Sequence, residues 1–109
     1  MHTPEFFEKK DIAKYLDSIG AWNFKPLMAG YGKAGVPDII ACVPLVITQD
    51  MVGMRVGTFV GIEVKREGKQ PTELQKARML EIVAAGGVAT AGTANAVIPQ
   101  IKMLPGLWK

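Results

Sequence analysis

The sequence predicts an α/β fold with the element order α-β-β-β-α-β-α, a central mixed sheet flanked by helices. Three observations carry that expectation. Apolar residues recur at helical spacing near the start of the chain and again after Pro71. Two runs rich in Val and Ile, 36–48 and 55–65, have the composition of buried strands. Glycines at 30, 32 and 35, at 68 and at 86–87 punctuate these segments. The chain has 109 residues, which suits one domain, 1–109, and leaves no room for a second.

Taken in order, Pro4 to Ile19 is the first predicted helix. Thr3 is its expected N-cap, and Pro4 stands at the first helical position, where a missing N–H costs nothing. Ile12, Tyr15, Leu16 and Ile19 make the apolar stripe, and Gly20 stops it. Continued backwards, the stripe puts Glu8 and Glu5 on or beside the apolar face, although helix starts also favour acids through the macrodipole. Ala21 to Pro26 is a short strand. The loop from Gly30 to Gly35 carries three glycines and Lys33, and it can approach a phosphate closely without having the full Walker pattern. Val36 to Thr48 is the next strand, with Pro44 marking an edge, a bulge or an early end. Gln49 to Met54 is a turn, and Arg55 to Lys65 returns as the partner strand of a β-hairpin.

Gly68 breaks the chain before a strong helix start at Pro71 to Gln75. There Thr72 is the cap and Gln75, three residues on, completes a capping box. The helix runs to about Ala85 and stops at Gly86-Gly87. Val88 to Ala91 is an interior strand. Val97, Ile98, Ile101 and Leu104 fit a last helix, which Pro99 requires to begin or kink nearby. The Leu107-Trp108 tail is expected to dock on the body.

Composition narrows the chemistry. Hydrophobic residues are 49% and charged residues 21%, a globular balance away from the disordered regime. No apolar run is long enough for a bilayer, and Glu5, Glu8, Lys9, Lys10 and Asp11 are unlike a signal peptide. A cytoplasmic protein with no membrane partner is expected, and its small size would suit a phage or mobile element. With one cysteine, Cys42, and one histidine, His2, neither an internal disulfide nor a Cys/His zinc site can form. An intrinsic metal would be held by oxygen, which means Mg²⁺, Mn²⁺ or Ca²⁺. Cys42 is expected to be a buried small hydrophobe, and Trp22 and Trp108 to serve core or interface. The net charge of +3 is mild, but Lys65, Arg66, Lys69, Lys76 and Arg78 crowd one segment.

Asp38 opens one predicted strand, directly after Pro37, while Glu63 and Lys65 close the next. Strand side chains alternate, so Glu63 and Lys65 share a face and Val64 points away. A hairpin would set Asp38 beside Glu63. Two carboxylates together on an apolar sheet repel, and a divalent cation removes that cost. Mg²⁺ needs only one or two carboxylates and fills its remaining positions with water and substrate phosphate oxygens. Such a cation polarises a phosphoryl group and lowers the pKa of a bound water, and Lys65 can orient that water or stabilise developing charge. Acid, acid and lysine in this pattern therefore point to hydrolysis of phosphodiesters. Singly, Asp38 also fits a plain turn residue and Glu63 with Lys65 a surface ion pair.

The pattern Gly35-Val36-Pro37-Asp38, then Ile62-Glu63-Val64-Lys65, then Gln75 early in the following helix, resembles the PD-(D/E)xK nuclease superfamily, and more closely a stand-alone VRR-NUC domain. The likeness spans Glu8 to about Val97. It implies a restriction-endonuclease-like core and a Mg²⁺- or Mn²⁺-dependent endonuclease acting on DNA, with branched or otherwise structured DNA among its substrates. It also implies Asp38 and Glu63 as metal ligands with the Val64 carbonyl, Lys65 as the catalytic lysine, and Gln75 facing the site from its helix. Glu8 matches an acid that the family places in its first helix, with Glu5 close by as the other choice. Lys33, Arg66, Lys69 and Lys76 flank these residues and are expected phosphate contacts. A non-catalytic DNA-binding module on the same fold is the alternative, and RNA is open as a substrate. So small a domain has little surface to grip a duplex, which favours a homodimer or higher homo-oligomer, with the Leu104–Trp108 tail a candidate interface element.

Overall fold

The computed structural model describes residues 4–27, 35 and 37–108. Among them the chain is mixed α/β, with three α-helices and two small sheets, one antiparallel and one parallel. It forms two compact units, Met1–Pro44 and Leu45–Lys109.

In the first unit, helix α1 spans Pro4–Ser18. Its predicted N-cap, Thr3, lies outside the described residues, as do His2 and the glycine loop up to Ala34. Gly20 ends the helix as expected. Its φ of 77° is open to glycine, and the turn closes with Ala21 N–H donating to Leu16 O at 3.0 Å and Gly20 N–H to Asp17 O at 3.2 Å. Strand β1, Trp22–Phe24, pairs antiparallel with β2, Ile40–Cys42, in the register Trp22 to Cys42. Asn23 Nδ2 donates to Asp17 Oδ1 at 2.9 Å and ties β1 back to α1. Cys42 is buried, as its type suggests.

In the second unit, β3 (Val60–Val64), α2 (Glu73–Ala84) and β4 (Val88–Gly92) form a parallel β-α-β unit, followed by α3 (Ala94–Lys102). The capping box at the start of α2 forms as its sequence predicts. Thr72 Oγ1 accepts from Gln75 N at 3.1 Å, and Gln75 Oε1 accepts from Thr72 N at 2.9 Å. The inner stripe of α2 ends on Ile82, which is buried against β3. A β-carbon added to Gly61 would come 2.7 Å from the Ile82 δ-methyl, so the glycine is what lets helix and strand approach.

The predicted hairpin is replaced by other pairings. The 36–48 run contributes only Ile40–Cys42, whose partner is β1, and the 55–65 run contributes Val60–Val64, whose partner is β4. Pro44 has no N–H for a ladder and β2 stops before it. Gly53, at φ 86°, and Gly57 interrupt the chain before β3. Leu45, Val46 and Ile47 are exposed outside any ladder. A parallel partner needs a crossover helix, and α2 supplies it.

Helix α3 forms where the apolar spacing predicts it, from Ala94 to Lys102, with Pro99 inside it. The missing N–H forfeits one helical bond, and the helix survives on its packing. Val97 is buried, and the buried Thr90 hydroxyl of β4 donates to Gln100 Oε1 at 2.6 Å. Beyond α3, Trp108 is exposed, with the Arg55 guanidinium 4.9 Å from its ring centroid. No described helix is long and apolar enough to cross a membrane.

Candidate functional site

The site is assembled at the carboxyl end of β3. Alternation along the strand sets Gly61, Glu63 and Lys65 on one face and Ile62 and Val64 on the other. The ladder continues to Lys65, whose N–H donates to Gly92 O at 2.9 Å. Helix α2 covers the Gly61 face, as its contact with Ile82 fixes. Glu63 and Lys65 are accordingly half-buried, while Ile62 and Val64 are exposed at 48% and 75%. That corrects the expectation of a strand buried on both faces. The charged pair, rather than the aliphatic one, lies on the side under the helix.

Glu63 and Lys65 do not pair. No ion pair or hydrogen bond engages either side chain among the described residues. The bland reading of Glu-x-Lys as a surface ion pair is therefore not the arrangement found.

Gln75 stands in the first turn of α2, the helix that covers this face. It lies two helical turns before Ile82, on the same side of α2, about 10 Å towards the helix start. Because α2 returns antiparallel to β3, that direction runs towards Glu63 and Lys65, two and four residues past Gly61, about 7–13 Å along the strand. Gln75 is half-buried. Its Oε1 is held in the capping box, which leaves the amide N–H groups to point elsewhere.

The Val64 carbonyl is also uncommitted. Val88 N–H donates to Phe59 O, and Lys65 N–H to Gly92 O, so the odd-numbered residues of β3 face β4 and the even-numbered ones face away. Val64 O thus lies outside the ladder, one peptide from Glu63. Glu63 and Val64 offer only oxygen, which suits a hard cation such as Mg²⁺ or Mn²⁺.

Asp38 and Glu8 belong to the first unit. Asp38 lies in the bend before β2 and is exposed, as is Glu8 on α1, with Glu5 one turn earlier. Within each unit, no group of three His, Cys, Asp or Glu side chains able to hold a metal occurs among the described residues.

The expected phosphate contacts separate into two kinds. Lys76 is tied to Glu73 on α2, Nζ to Oε1 3.4 Å. Arg66 and Lys69 stand free of ion pairs among the described residues, on the loop that follows Lys65. Lys33 lies outside the described residues. Arg66 and Lys69 border a cavity of about 220 Å³ also lined by Gln70 and Thr93. Thr93 was not singled out by its sequence context. Its signal was a hydroxyl residue directly before a helical pattern, the same signal that marks Thr72.

No family model matches the chain, and no match was found among curated proteins or among solved structures.

Proposed function

We propose that this chain is a Mg²⁺- or Mn²⁺-dependent endonuclease that hydrolyses phosphodiester bonds in DNA, including branched or structured DNA, on a restriction-endonuclease-like core of the VRR-NUC type. The observation that carries this reading is the half-buried, unpaired Glu63 and Lys65 on the helix-covered face of β3. Holding two opposite charges partly desolvated yet apart forgoes their mutual attraction, which is reasonable where each has an external partner.

Glu63 and the Val64 carbonyl would hold the cation, and Asp38, with Glu8 or Glu5, enters this reading as a further acid on the motif resemblance alone. When bound, the cation supplies Lewis-acid polarisation of the phosphoryl oxygen and a more acidic attacking water. Lys65 presents its ammonium to the negative charge that grows on the phosphoryl oxygens. The Gln75 amide donates a hydrogen bond to a phosphate oxygen or to the attacking water, and its orientation is fixed through Thr72. Arg66 and Lys69 hold the backbone beside the scissile group. We further propose a homodimer, because specific protein–DNA interfaces bury about 1,000–2,500 Å² of protein and so small a chain offers little of that alone.

The test is a cleavage panel of single-stranded, duplex, flap and four-way-junction DNA with Mg²⁺ or Mn²⁺. Wild type should cut and a chelator should stop it. Asp38→Asn, Glu63→Gln and Lys65→Ala should each lower cutting at least about 10²-fold, the usual scale for losing one electrostatic or acid–base group. Variants that remain folded and cut like wild type refute the assignment.

A further inference from the structure

A cavity of about 220 Å³ lies between the loop 66–71 and the segment 91–96. Arg66 and Lys69 stand on one side of it, with Gln70, and Thr93 stands on the other. The loop has a fixed form. It turns at Gly68, whose φ is 81°, and closes with Lys69 N–H donating to Arg66 O at 3.1 Å. This turn brings both cations to one opening. Glu67 on the same loop is the acid in the lining, so the opening keeps a net positive charge.

The two cations differ from their neighbours on α2. Lys76 and Arg78 are each engaged by a carboxylate, at 3.4 and 2.6 Å, whereas Arg66 and Lys69 have no such partner among the described residues. Unpaired cations at a polar recess attract an anion with several acceptor oxygens. The volume suits one tetrahedral oxyanion with a few waters, since a water takes about 30 Å³. Arg66 follows Lys65 directly in the chain, so the recess adjoins the proposed catalytic end of β3.

We infer that this recess seats a backbone phosphate of the bound nucleic acid, next to the one addressed by Glu63 and Lys65. That the anion is a nucleic-acid phosphate rests on the proposed function. Arg66 would engage the phosphate in bidentate fashion and Lys69 as a point charge. Lys76, although equally basic and close in sequence, is no part of this seat.

The experiment measures fluorescence anisotropy of short DNA and RNA duplexes with the full chain, under chelation so that nothing is cut, across a salt series. Arg66→Gln, Lys69→Gln and the double variant are compared with Lys102→Gln, at the far end of α3. A cation that neutralises a phosphate contributes about 0.9 to the salt slope, so between ~50 and ~200 mM salt each substitution should make the loss of affinity about 3.5-fold smaller. The double variant should make it about 12-fold smaller by the same rule, and Lys102→Gln should leave it unchanged. Equal effects on DNA and RNA assign the shared phosphodiester, and an effect on one alone assigns that polymer as the source. Unchanged slopes in Arg66→Gln and Lys69→Gln, or no binding by wild type, overturn the seat. If wild type proves unable to cut yet the slopes still fall, the seat stands and the nuclease reading fails. If wild type cuts and the slopes do not move, the reverse holds.

Discussion

Replacing Gly61 by alanine tests how closely α2 is held on β3. The new methyl would lie 2.7 Å from the Ile82 δ-carbon. That is about 1 Å inside the ~3.5–4.0 Å separation at which carbon atoms rest. Ile82 is only 6% exposed, so it cannot swing into solvent. Overpacking of this kind costs about 1–3 kcal/mol. The restriction that alanine places on the unfolded chain returns about 0.4–1 kcal/mol, which leaves a net loss between about 0 and 2.6 kcal/mol. No backbone term complicates the sum, because Gly61 is not among the glycines at positive φ. Ile82→Val removes the colliding methyl and by itself costs about 0.5–1.5 kcal/mol. In the double variant that vacancy receives the alanine methyl, so the pair should be more stable than the sum of single losses by about 1 kcal/mol. Urea unfolding followed by circular dichroism measures all four corners of the cycle. Additivity within about 0.3–0.5 kcal/mol, or a stabilised Gly61→Ala, would refute the packing argument.

Other outcomes follow from single residues. Thr72→Ala removes an N-cap hydroxyl and should cost about 1 kcal/mol in thermal or urea unfolding, with Thr72→Ser close to wild type. It should leave cutting near wild type, because the residue 72 backbone N–H that Gln75 Oε1 accepts from is retained in alanine. Gly92→Ala places a side chain at φ 135° with the Ala96 β-carbon 3.0 Å away, and it should cost at least about 1–3 kcal/mol by the same measurement. The Thr48 hydroxyl, followed by a local backbone N–H, holds the Asp50 carboxyl below its ordinary value of 3.8. A lowered folded-state value means the stabilising contact is present above the ordinary carboxylate pKa and is lost as pH falls through the lowered one. An NMR titration of Asp50 should show this, and Thr48→Val should move the midpoint back up.

Much of the second unit was legible because its signals are local. Thr72 and Gln75 form the box that their spacing predicts, Gly86 and Gly87 follow the helix, and Val88 begins β4 as expected. Pairing was not legible. The apolar runs 36–48 and 55–65 read as one hairpin because each is strand-like, but periodicity carries no information about which strand is a partner. Pro44 was visible punctuation and Gly57 was passed over within the 55–65 run, and both strands are far shorter than composition suggests. At the site, alternation correctly put Glu63 and Lys65 on one face. Which face a helix covers depends on Gly61 accepting Ile82, a contact between residues far apart in sequence. Around Pro99 the apolar spacing marked the helix, and burial of Val97 sustains it where local propensity disfavours it.

The parallel register of β3 and β4 also governs how this unit can fold. Val60 and Val88 are partners on opposite sides of α2, so no tight turn can start their ladder. For a span of roughly 28 residues, the length-dependent part of loop closure costs about 3 kcal/mol before the first ladder bond forms. A helical α2 shortens that search, because its 12 residues then extend only about 18 Å. The Thr72–Gln75 box, the strongest local signal in the chain, thereby acts on the rate of sheet assembly. Weakening it should slow refolding more than it speeds unfolding.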